Sequence, residues 1–372
     1  MMVYAWATLW HERQRYIPAV LAVAISALLV AFQFGLLLGT FALISIPIDH
    51  TRADVWVGAP RVVSVDVGRP IPLDWRSRLS LPEVAAVETL VVGFNYWSKP
   101  DGGSELCILI GSRLFDGSLG AVNELTTELR DRLTAPGAVV VDEADLDRLG
   151  LRYGVGETAE VNRQRVHVVG VVRGLKGLQG PYIFCSIDTA RALLQMAPDQ
   201  ATYFLVRCHD PADAPRVVEH LRRYDTMSAF VSSEFSRRSQ LHWLFRTGAG
   251  IALGLASLLS LFVGAVVTSQ TLYAATAASL REYAVLRALG ISRWHMAGAV
   301  LAQSFWIGVA GVVLALAAIF VIAPTAQLLG AKVLVPLWLL GFTAVVTMLM
   351  AVLSGLAALR SLRLVEPAVL LR

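Results

Sequence analysis

Residues 279–295 read SLREYAVLRALGISRWH, a charged, helix-favouring segment between two long apolar runs. Neither the run before it, residues 247–280, nor the run after it, residues 296–331, contains an Asp, Glu, Lys or Arg. Each run exceeds the roughly 20 residues that an α-helix needs to cross a bilayer. The pattern therefore predicts two membrane spans joined by a short charged helix at one membrane surface.

Composition supports a membrane protein. Hydrophobic residues make up 56% of the chain and charged residues only 16%, against about a quarter charged in soluble domains. Two further runs, residues 17–48 and 333–359, also lack charge. We expect the third span to end near Ala323, because Pro324, Gly330 and Pro336 are typical of a loop. Four spans result.

Basic residues indicate the orientation, since short cytoplasmic loops are enriched in Lys and Arg. Arginines precede the first span, separate the second from the third and follow the fourth, namely Arg13, Arg15, Arg281, Arg287, Arg293, Arg360, Arg363 and Arg372. The loop between the third and fourth spans has only Lys332. Both termini are therefore predicted to be cytoplasmic, and residues 49–246 to lie outside.

The fold class expected is an integral membrane protein with four transmembrane helices and a large α+β extracytoplasmic, or periplasmic, domain between helices 1 and 2. The predicted segments, in chain order, are an interfacial amphipathic helix (1–16), transmembrane helix 1 (17–48), the outer domain (49–235), a stalk with transmembrane helix 2 (236–280), a cytoplasmic helix (281–295), transmembrane helix 3 (296–323), a short outer loop (324–336), transmembrane helix 4 (337–359) and a cytoplasmic tail (360–372).

Inside the outer domain, alternating apolar residues predict strands and capped segments predict helices. We expect strands over residues 62–67, 84–96, 139–141 and 182–187, a hairpin over 157–161 and 165–172, and helices starting at Pro72, over 143–149 and over 210–224. Cys107, Cys185 and Cys208 lie in apolar strand-like contexts without CxxC spacing, so small buried side chains are expected, with at most one disulfide.

The first segment carries two interpretations. Tyr4, Trp6, Leu9 and Trp10 suit an amphipathic helix in the membrane interface, whereas the alternative is an ordinary flank of the span. The first apolar run is too long for a secretory signal peptide and has no small-residue cleavage pattern, so a retained anchor is expected.

Catalytic motifs are weak. Residues 139–145, VVVDEAD, resemble the magnesium-binding strand end of ATPases, but no GxxxxGK[ST] loop accompanies them, and the topology puts them outside. A capped helix is the simpler interpretation. The seven histidines lack ligand spacing. Residues 49–246 hold 23 basic against 25 acidic residues, so nucleic acid binding has no basic domain to support it. An enzyme assembled only in space is left open.

No ionisable residue lies in any span, which disfavours an ion or proton pathway. Gly35 with Gly39, and Gly250 with Gly254, form GxxxG patterns that permit close helix packing within a subunit or across a dimer. Generic membrane-helix glycine is the alternative for each pair.

The cytoplasmic helix is the best candidate for mechanism. Tyr283, Leu286, Leu289 and, more weakly, Val285 form an apolar stripe that Arg281, Glu282 and Arg287 flank, and Gly290 suits a C-terminal cap. Such a helix either lies on the membrane surface or docks into a groove of a partner protein.

The segment SLREYAVLRALGISRWHMAGAVLAQS resembles the coupling-helix region of MacB- and FtsX-type ABC transporter permeases. The matching positions are Arg281, Glu282, Ala284, Leu286, Arg287, Ala288, Leu289 and Gly290. Two positions depart from the family pattern: the acid Glu282 is one place nearer the arginine, and Ile291 replaces a common alanine. The terminal SLRLVEPAVLLR is similar to the closing segment of that family. QFGLLLGTFAL, RADVWVGAP and FNYWSKPDGGSELCILIG are similar to the subgroup of heterocyst-glycolipid-exporter (DevC-like) permeases.

The resemblance implies a non-catalytic permease subunit in a bacterial inner membrane that works by mechanotransmission. A separate ABC ATPase would bind ATP and Mg and push on residues 281–290, since no nucleotide-binding domain is fused here. The second helix, continuing outward as a rigid stalk through residues 235–246, would transmit the movement. A second permease copy as a homodimer, a periplasmic adaptor and an outer-membrane channel are further implied partners.

Two functions are compatible with this resemblance. One is export of an amphiphile such as a glycolipid, lipid, drug or peptide. The other is an FtsX-like signalling subunit that activates an extracytoplasmic hydrolase. The outer domain is larger than the one usual in FtsX, which favours export.

Overall fold

The computed structural model describes residues 13–278, 292–328 and 331–362. The chain divides into two compact units, each described here by itself. The membrane-helix unit comprises Met1–Gly39 with Ile251–Arg372, and the outer unit comprises Thr40–Gly250.

The helices of the described part, in chain order, are α1 (Arg13–Ala42), α2 (Ile46–Asp49), α3 (Thr127–Leu133), α4 (Leu146–Leu149), α5 (Ile187–Leu194), α6 (Ala214–Leu221), α7 (Ser232–Arg246), α8 (Gly248–Ala278), α9 (Arg293–Leu328) and α10 (Leu337–Leu362). The strands are β1 (Val55–Gly58), β2 (Ile71–Pro72), β3 (Val84–Ser98), β4 (Ser104–Ser112), β5 (Ala138–Asp142), β6 (Thr158–Val161), β7 (Gln164–Val172), β8 (Tyr182–Ser186), β9 (Gln200–Ala201), β10 (Tyr203–Cys208) and β11 (Ser228–Val231). Short 3-10 helices cover Val65–Val67, Leu73–Leu79, Glu143–Asp145 and Pro211–Asp213.

In the part of the chain that the structure describes, four helices are long and apolar enough to cross a membrane. The qualifying stretches are Tyr16–Ala42, Gly248–Thr271, Ala297–Leu328 and Leu337–Leu356. The mixed α/β unit lies between the first and second of them in the chain, which confirms the fold class expected from the sequence.

The third span differs from expectation at its end. Helix α9 passes through Pro324 and continues to Leu328, although the end was expected near Ala323. A proline removes one backbone donor and crowds the preceding turn. Here it lies in the last turns of a 36-residue helix, where few further hydrogen bonds are affected.

Close packing inside the membrane-helix unit involves α1, α9 and α10. Val23 of α1, Ile307 of α9 and Ala351 of α10 are buried in one apolar cluster. A Cβ at Gly311 of α9 would lie 2.5 Å from Cγ1 of Val23. Small residues thus allow close helix approach inside this unit.

The outer unit is built on a nine-stranded mixed sheet in the order β11-β1-β10-β3-β4-β8-β5-β7-β6. The 15-residue strand β3 connects its two halves. Its first half pairs with β10, and its second half pairs with β4. The end of β3 also pairs with β6, through Trp97 opposite Val161, so β3, β4, β8, β5, β7 and β6 form a closed circuit.

The strand–turn signals of the hairpin are confirmed. Val161 pairs with Gln164 across a two-residue turn, in which Asn162 and Arg163 have φ of 51° and 63°. Two positive φ values are the type I′ geometry that matches the twist of paired strands. The strands expected over residues 84–96, 139–141 and 182–187, and the helices expected at Pro72 and over residues 143–149 and 210–224, are also present, with ends that differ by a few residues.

The prediction of a strand over residues 62–67 was wrong. This segment forms a turn and a 3-10 helix at Val65–Val67. The hydroxyl of Tyr203 donates to the carbonyl oxygens of Ser64 and Val65, at 3.2 and 2.9 Å. The Tyr203 side chain thus occupies carbonyl oxygens that a neighbouring strand would otherwise use. The alternation reflects the burial of Val62 and Val65, and the segment pairs with no strand.

Candidate coupling site

The predicted partner-binding segment lies outside the described residues. It comprises Arg281, Glu282, Tyr283, Val285, Leu286, Arg287, Ala288, Leu289 and Gly290. Its nearest described neighbours are Ala278, at the end of α8, and Ser292, just before α9 begins at Arg293. Its role in docking an ATPase therefore stays a prediction.

The stalk expected before the second span is present, but it is not continuous with that span. Helix α7 ends at Arg246, and Thr247 is extended, with φ −112° and ψ 148°. Helix α8 then begins at Gly248. The prediction of one rigid helix through residues 235–246 into the span is therefore corrected to two helices that meet at Thr247.

The side chain of Thr247 explains the break. Its hydroxyl donates to the carbonyl oxygen of Trp243 at 2.6 Å, in the last turn of α7. It also accepts from the amide of Gly250 at 3.0 Å, in the first turn of α8. One hydroxyl thus satisfies a carbonyl at one helix end and an amide at the next helix start, both of which lack intrahelical partners.

Gly250 is required by this turn. A Cβ there would lie 2.3 Å from the carbonyl oxygen of Trp243 and 2.5 Å from that of Leu244. The close approach at Gly250 is to the end of the preceding helix. Gly254 is half-buried in α8, and packing of this pair against another span stays a prediction.

Gly35 and Gly39 of α1 face the extended segment that precedes α10. A Cβ at Gly39 would lie 1.8 Å from the carbonyl oxygen of Lys332, and one at Gly35 would lie 3.0 Å from Cγ1 of Val333. The amide of Leu334 donates to the carbonyl oxygen of Gly35 at 3.0 Å. This glycine pair therefore allows close backbone approach within the chain, and a role across a dimer stays a prediction.

Helix α7 is held to the segment 45–66 by three side chains, which we call the α7 contact line: Ser239, Gln240 and Trp243. Ser239 Oγ accepts from the amide of Val65 at 3.2 Å. Gln240 Nε2 donates to Ser45 Oγ at 2.7 Å. The indole N–H of Trp243 donates to Asp66 Oδ1 at 3.2 Å.

Asp66 is the charged end of this contact line. It is 3% exposed, and its Oδ1 accepts from both Ser64 Oγ and Trp243. Its Oδ2 is buried without a partner in the described part of the chain. Burial, together with Asp66, raises the pKa of the Tyr203 hydroxyl, so this hydroxyl stays a protonated donor to the 64–65 carbonyls.

An aromatic cluster fixes the start of α7 against the sheet. The ring of Phe235 stacks on Phe230 of β11, with 5.2 Å between centroids and an interplanar angle of 3°. Phe235 also lies 5.7 Å from Trp56 and 5.8 Å from Tyr203. Rings at these separations interact favourably beyond their burial. Strands β1, β10 and β11 thus all contact one side chain of α7.

A second link joins the sheet to the chain that follows α1. The Tyr182 hydroxyl donates to the carbonyl oxygen of Leu43 at 3.1 Å, and it lies 3.4 Å from that of Ile44. Burial raises the pKa of this hydroxyl. The sheet therefore contacts both chain connections of the outer unit: the chain after α1 through Tyr182, and α7 through the rings around Phe235.

The ATPase-like segment 139–145 has a structural role. Asp142 caps the Glu143–Asp145 turn by accepting from the amide of Ala144 at 2.9 Å, and it accepts from the amide of Leu175 at 2.6 Å. Asp145 accepts from the amide of Gly177 at 3.3 Å, although burial raises its pKa. These carboxylates hold the loop after β7, as the capped-helix interpretation requires.

Among residues 13–278, 292–328 and 331–362, no group of three or more His, Cys, Asp or Glu side chains has the proximity of a metal site. Cys107, Cys185 and Cys208 are free and buried on strands β4, β8 and β10. The expectation of small buried side chains is confirmed. Burial raises the pKa of Cys107 to about 12 and that of Cys208 to about 11.

Sequence reasoning missed the α7 contact line. The only local signal was the Ser64–Asp66 pair, which resembles an ordinary polar turn. Its partners Trp243 and Ser239 lie more than 170 positions later, and no local pattern relates such distant residues.

Two family models match the chain. Residues 18–224 match the MacB-like periplasmic core domain, and residues 254–367 match the FtsX-like permease C-terminal domain. The first match covers more than half of the chain. The search of curated proteins found no match.

Solved structures resemble the chain over about half of its length. The periplasmic region of MacB from Actinobacillus actinomycetemcomitans is 15% identical, with a TM-score of 0.36, over 51% of this chain and 94% of that one. The extracellular domain of the noncanonic ABC-type transporter YknZ from Gram-positive bacteria is 12% identical, with a TM-score of 0.36, over 48% and 99%. A domain described as part of a permease protein from Porphyromonas gingivalis is 13% identical, with a TM-score of 0.30, over 48% of this chain and 87% of that one.

Proposed function

Because the chain belongs to the family of MacB-like and FtsX-like ABC transporter permeases, we propose that it couples ATP hydrolysis by a separate ATPase subunit to movement of its outer domain. It is a multi-pass membrane protein, and its described residues include four helices that are long and apolar enough to span the membrane. The chain itself is a non-catalytic subunit in this proposal, and ATP and Mg bind to the partner.

The α7 contact line is the observation that supports this coupling. The second span, α8, follows directly after α7 in the chain, and α7 is bonded to residues 45–66 of the outer unit through Ser239, Gln240 and Trp243. A movement of α7 would therefore act on residues 45–66 of the outer unit. An ATPase can drive such a movement only if it binds the two conformations with different affinities.

Residues 281–290 are the proposed docking segment for the ATPase. The apolar stripe of Tyr283, Leu286 and Leu289 would enter a groove of the partner, and the flanking Arg281 and Arg287 would orient it. The location between the second and third spans puts this segment on the membrane side where we expect both termini, the cytoplasm.

Export of an amphiphile is the transport function proposed, as in the DevC-like subgroup that the first span and the β3–β4 segment resemble. The proposal includes a homodimer, a periplasmic adaptor and, in a cell with two membranes, an outer-membrane channel. The outer unit of Thr40–Gly250 is large enough to present such a docking surface.

An FtsX-like signalling subunit is the second candidate. The same coupling would then activate an extracytoplasmic hydrolase. The gene next to this one distinguishes the two: a membrane-fusion adaptor supports export, and a cell-wall hydrolase would reject it.

The docking proposal is tested with the variant Leu286→Asp and with deletion of residues 282–289. A carboxylate in the apolar stripe would have to be desolvated in the partner groove, which costs more than the contact provides. We expect both variants to insert in the membrane and to lose copurification of the ATPase.

The matched control is Tyr153→Asp, an equivalent change at an 83% exposed position of the outer unit. It should copurify the ATPase at the wild-type level. Undiminished copurification with Leu286→Asp would show that this segment is not the docking site.

A further inference from the structure

A cleft of about 790 Å³ opens at one edge of the sheet in the outer unit. It lies where the parallel strands β4 and β8 end and where β5 and β7 begin. Its volume is within the range of small-molecule sites, and crevices beyond the carboxyl ends of parallel strands commonly bind ligands.

Three arginines line this cleft: Arg113, Arg165 and Arg191. Within the described part of the chain, the guanidinium groups of Arg113 and Arg165 make no ion pair or hydrogen bond. Arg191 has an 18% exposed side chain. Its Nη2 donates to the carbonyl oxygen of Gln200 at 3.1 Å, and its Nε is buried without a partner in that same part. The cleft therefore presents the guanidinium donors of Arg113 and Arg165, which the described protein does not itself satisfy, beside a partly satisfied Arg191.

The nearby carboxylates do not neutralise them. Asp188 lines the cleft and is 89% exposed, and its Oδ1 is 3.9 Å from Arg191 Nη1, a loose contact. Glu160 lies opposite Arg165 in the hairpin, beyond ion-pair distance. Three like charges against one lining carboxylate repel one another, and a bound anion would relieve that repulsion.

Hydroxyl groups and apolar side chains complete the lining. Ser112, Thr134 and Ser186 contribute hydroxyls. Ser186 Oγ already accepts from the amide of Thr189 at the start of α5, so the arginines rather than the helix end supply the positive charge. Phe115, which is 56% exposed, forms an apolar wall with its neighbour Leu114.

We propose that this cleft binds the phosphate-type headgroup of an anionic amphiphile. Guanidinium forks match the geometry of phosphate oxygens, and the exposed phenyl ring of Phe115 would cover the first carbons of the attached chain. The positive charge of the cleft is independent of the proposed function. The choice of an amphiphile as the ligand, rather than phosphate alone, rests on the proposed export function.

The test uses the full chain in amphipol, purified without an ATPase, and isothermal titration calorimetry with three probes. These are hexyl phosphate, inorganic phosphate and hexanol. We expect hexyl phosphate to bind saturably and at least about tenfold more tightly than inorganic phosphate, because both the charged and the apolar contacts form. Hexanol should not bind measurably.

The double variant Arg113→Gln/Arg165→Gln changes two exposed side chains and should weaken hexyl phosphate binding about tenfold or more. Asp188→Asn should leave binding unchanged or tighten it. The matched control is Arg207→Gln, at an exposed position of β10 that is not part of the cleft.

Three results would overturn the proposal: no saturable binding, equal binding of inorganic phosphate, or unchanged binding in the double variant. Because no ATPase is present, a failure here is separate from a failure of the coupling function, which the copurification of the ATPase measures.

Discussion

Asp66 combines a buried carboxylate with a hydrogen bond from a helix that is distant in sequence. Its Oδ1 accepts from Trp243 of α7, while Oδ2 has no partner in the described chain. Hydrogen bonds to charged groups are worth more than neutral ones, and an unmet buried group is costly. Asp66 should therefore be sensitive to any change at Trp243.

Trp243→Phe removes the indole donor to this carboxylate together with one ring of the side chain. We expect the free energy of unfolding to fall by about 1.5–3 kcal/mol and the melting temperature in detergent to fall by several degrees. The control is Trp75→Phe, because Trp75 makes no indole hydrogen bond within the described chain. Equal melting temperatures for the two variants would mean that the contact with Asp66 contributes nothing.

Glu157 is the second informative residue. Its carboxylate accepts from the amides of Arg152, Tyr153 and Gly154, at 3.0, 2.5 and 3.0 Å. The hydrogen bonds from these amides, that of Tyr153 above all, lower the pKa of Glu157. An acid with a lowered folded-state pKa stabilises the fold above its unfolded pKa, and this contribution is lost as the pH falls through the folded pKa.

Glu157→Gln should therefore lower the melting temperature at pH 7 by about 2 °C, and the difference from wild type should shrink as the pH is lowered below about 4. Glu160→Gln, on the neighbouring strand β6, is the control and should show no such trend. A deficit of the same size at pH 7 and pH 3 would contradict the electrostatic explanation.

At the scale of elements, the junction between α7 and α8 is set by Thr247 and Gly250. Helix propensity alone predicts that Gly→Ala in a helix stabilises by about 1 kcal/mol. At Gly250 the added methyl would meet the carbonyl oxygens of Trp243 and Leu244, whereas a methyl added at Gly248 would have no atom within 4 Å. The steric clash therefore makes Gly250→Ala destabilising, whereas helix propensity makes Gly248→Ala neutral or stabilising, although both glycines lie in the same turn.

We expect Gly250→Ala to lower the melting temperature and Gly248→Ala to leave it unchanged or raise it. In the assembled complex, Gly250→Ala should also weaken the dependence of transport on ATPase activity, because the added methyl disturbs the turn through which α7 continues into α8. A stabilised Gly250→Ala variant would show that the tight turn is absent.

The contact between α1 and the segment before α10 likewise leaves no room for a side chain larger than glycine. Gly39→Ala would place a methyl 1.8 Å from the carbonyl oxygen of Lys332. Overpacking of this kind costs about 1–3 kcal/mol, so a lower yield of monodisperse protein and a lower melting temperature are expected. Gly341→Ala in α10, where no atom lies within 4 Å, is the control, and identical behaviour of both variants would contradict this packing.

At the scale of the whole molecule, the membrane orientation is the prediction that matters most for function. A cysteine at Arg163 should react with an impermeant thiol reagent from outside, and a cysteine at Arg287 should react only from the cytoplasm. The native cysteines are buried with raised pKa values and should stay unreactive, since the thiolate is the reactive form. Labelling of Arg163→Cys from the cytoplasm would show that the predicted orientation is wrong.

Much of the architecture followed from local pattern. Uncharged runs longer than a bilayer is thick predict spans wherever they occur, so four spans were evident. Period-two alternation and turn residues located most strands. The hairpin was predicted from its flanking strands with a turn over residues 162–164, and the observed turn, Asn162–Arg163, is one residue shorter. The family resemblance depended on residues 281–290, which are contiguous in the sequence.

Other features depended on specific side-chain contacts that periodicity does not show, most of them between residues distant in the sequence. The segment 62–67 alternates like a strand, yet the Tyr203 hydroxyl binds its carbonyls. The stalk had a helical sequence throughout, yet the Thr247 hydroxyl ends one helix and starts the next. The arginine cleft, likewise, is assembled from four separate chain segments.

The sequence by itself determined the four membrane spans, the alternation of strands and the family, because hydrophobic length and side-chain periodicity are local properties that each segment carries alone. Only the tertiary structure decided the closed strand circuit, the break at Thr247, the α7 contact line and the cleft. Each of these depends on which donor meets which acceptor across more than one element, and that pairing is specified by packing in three dimensions.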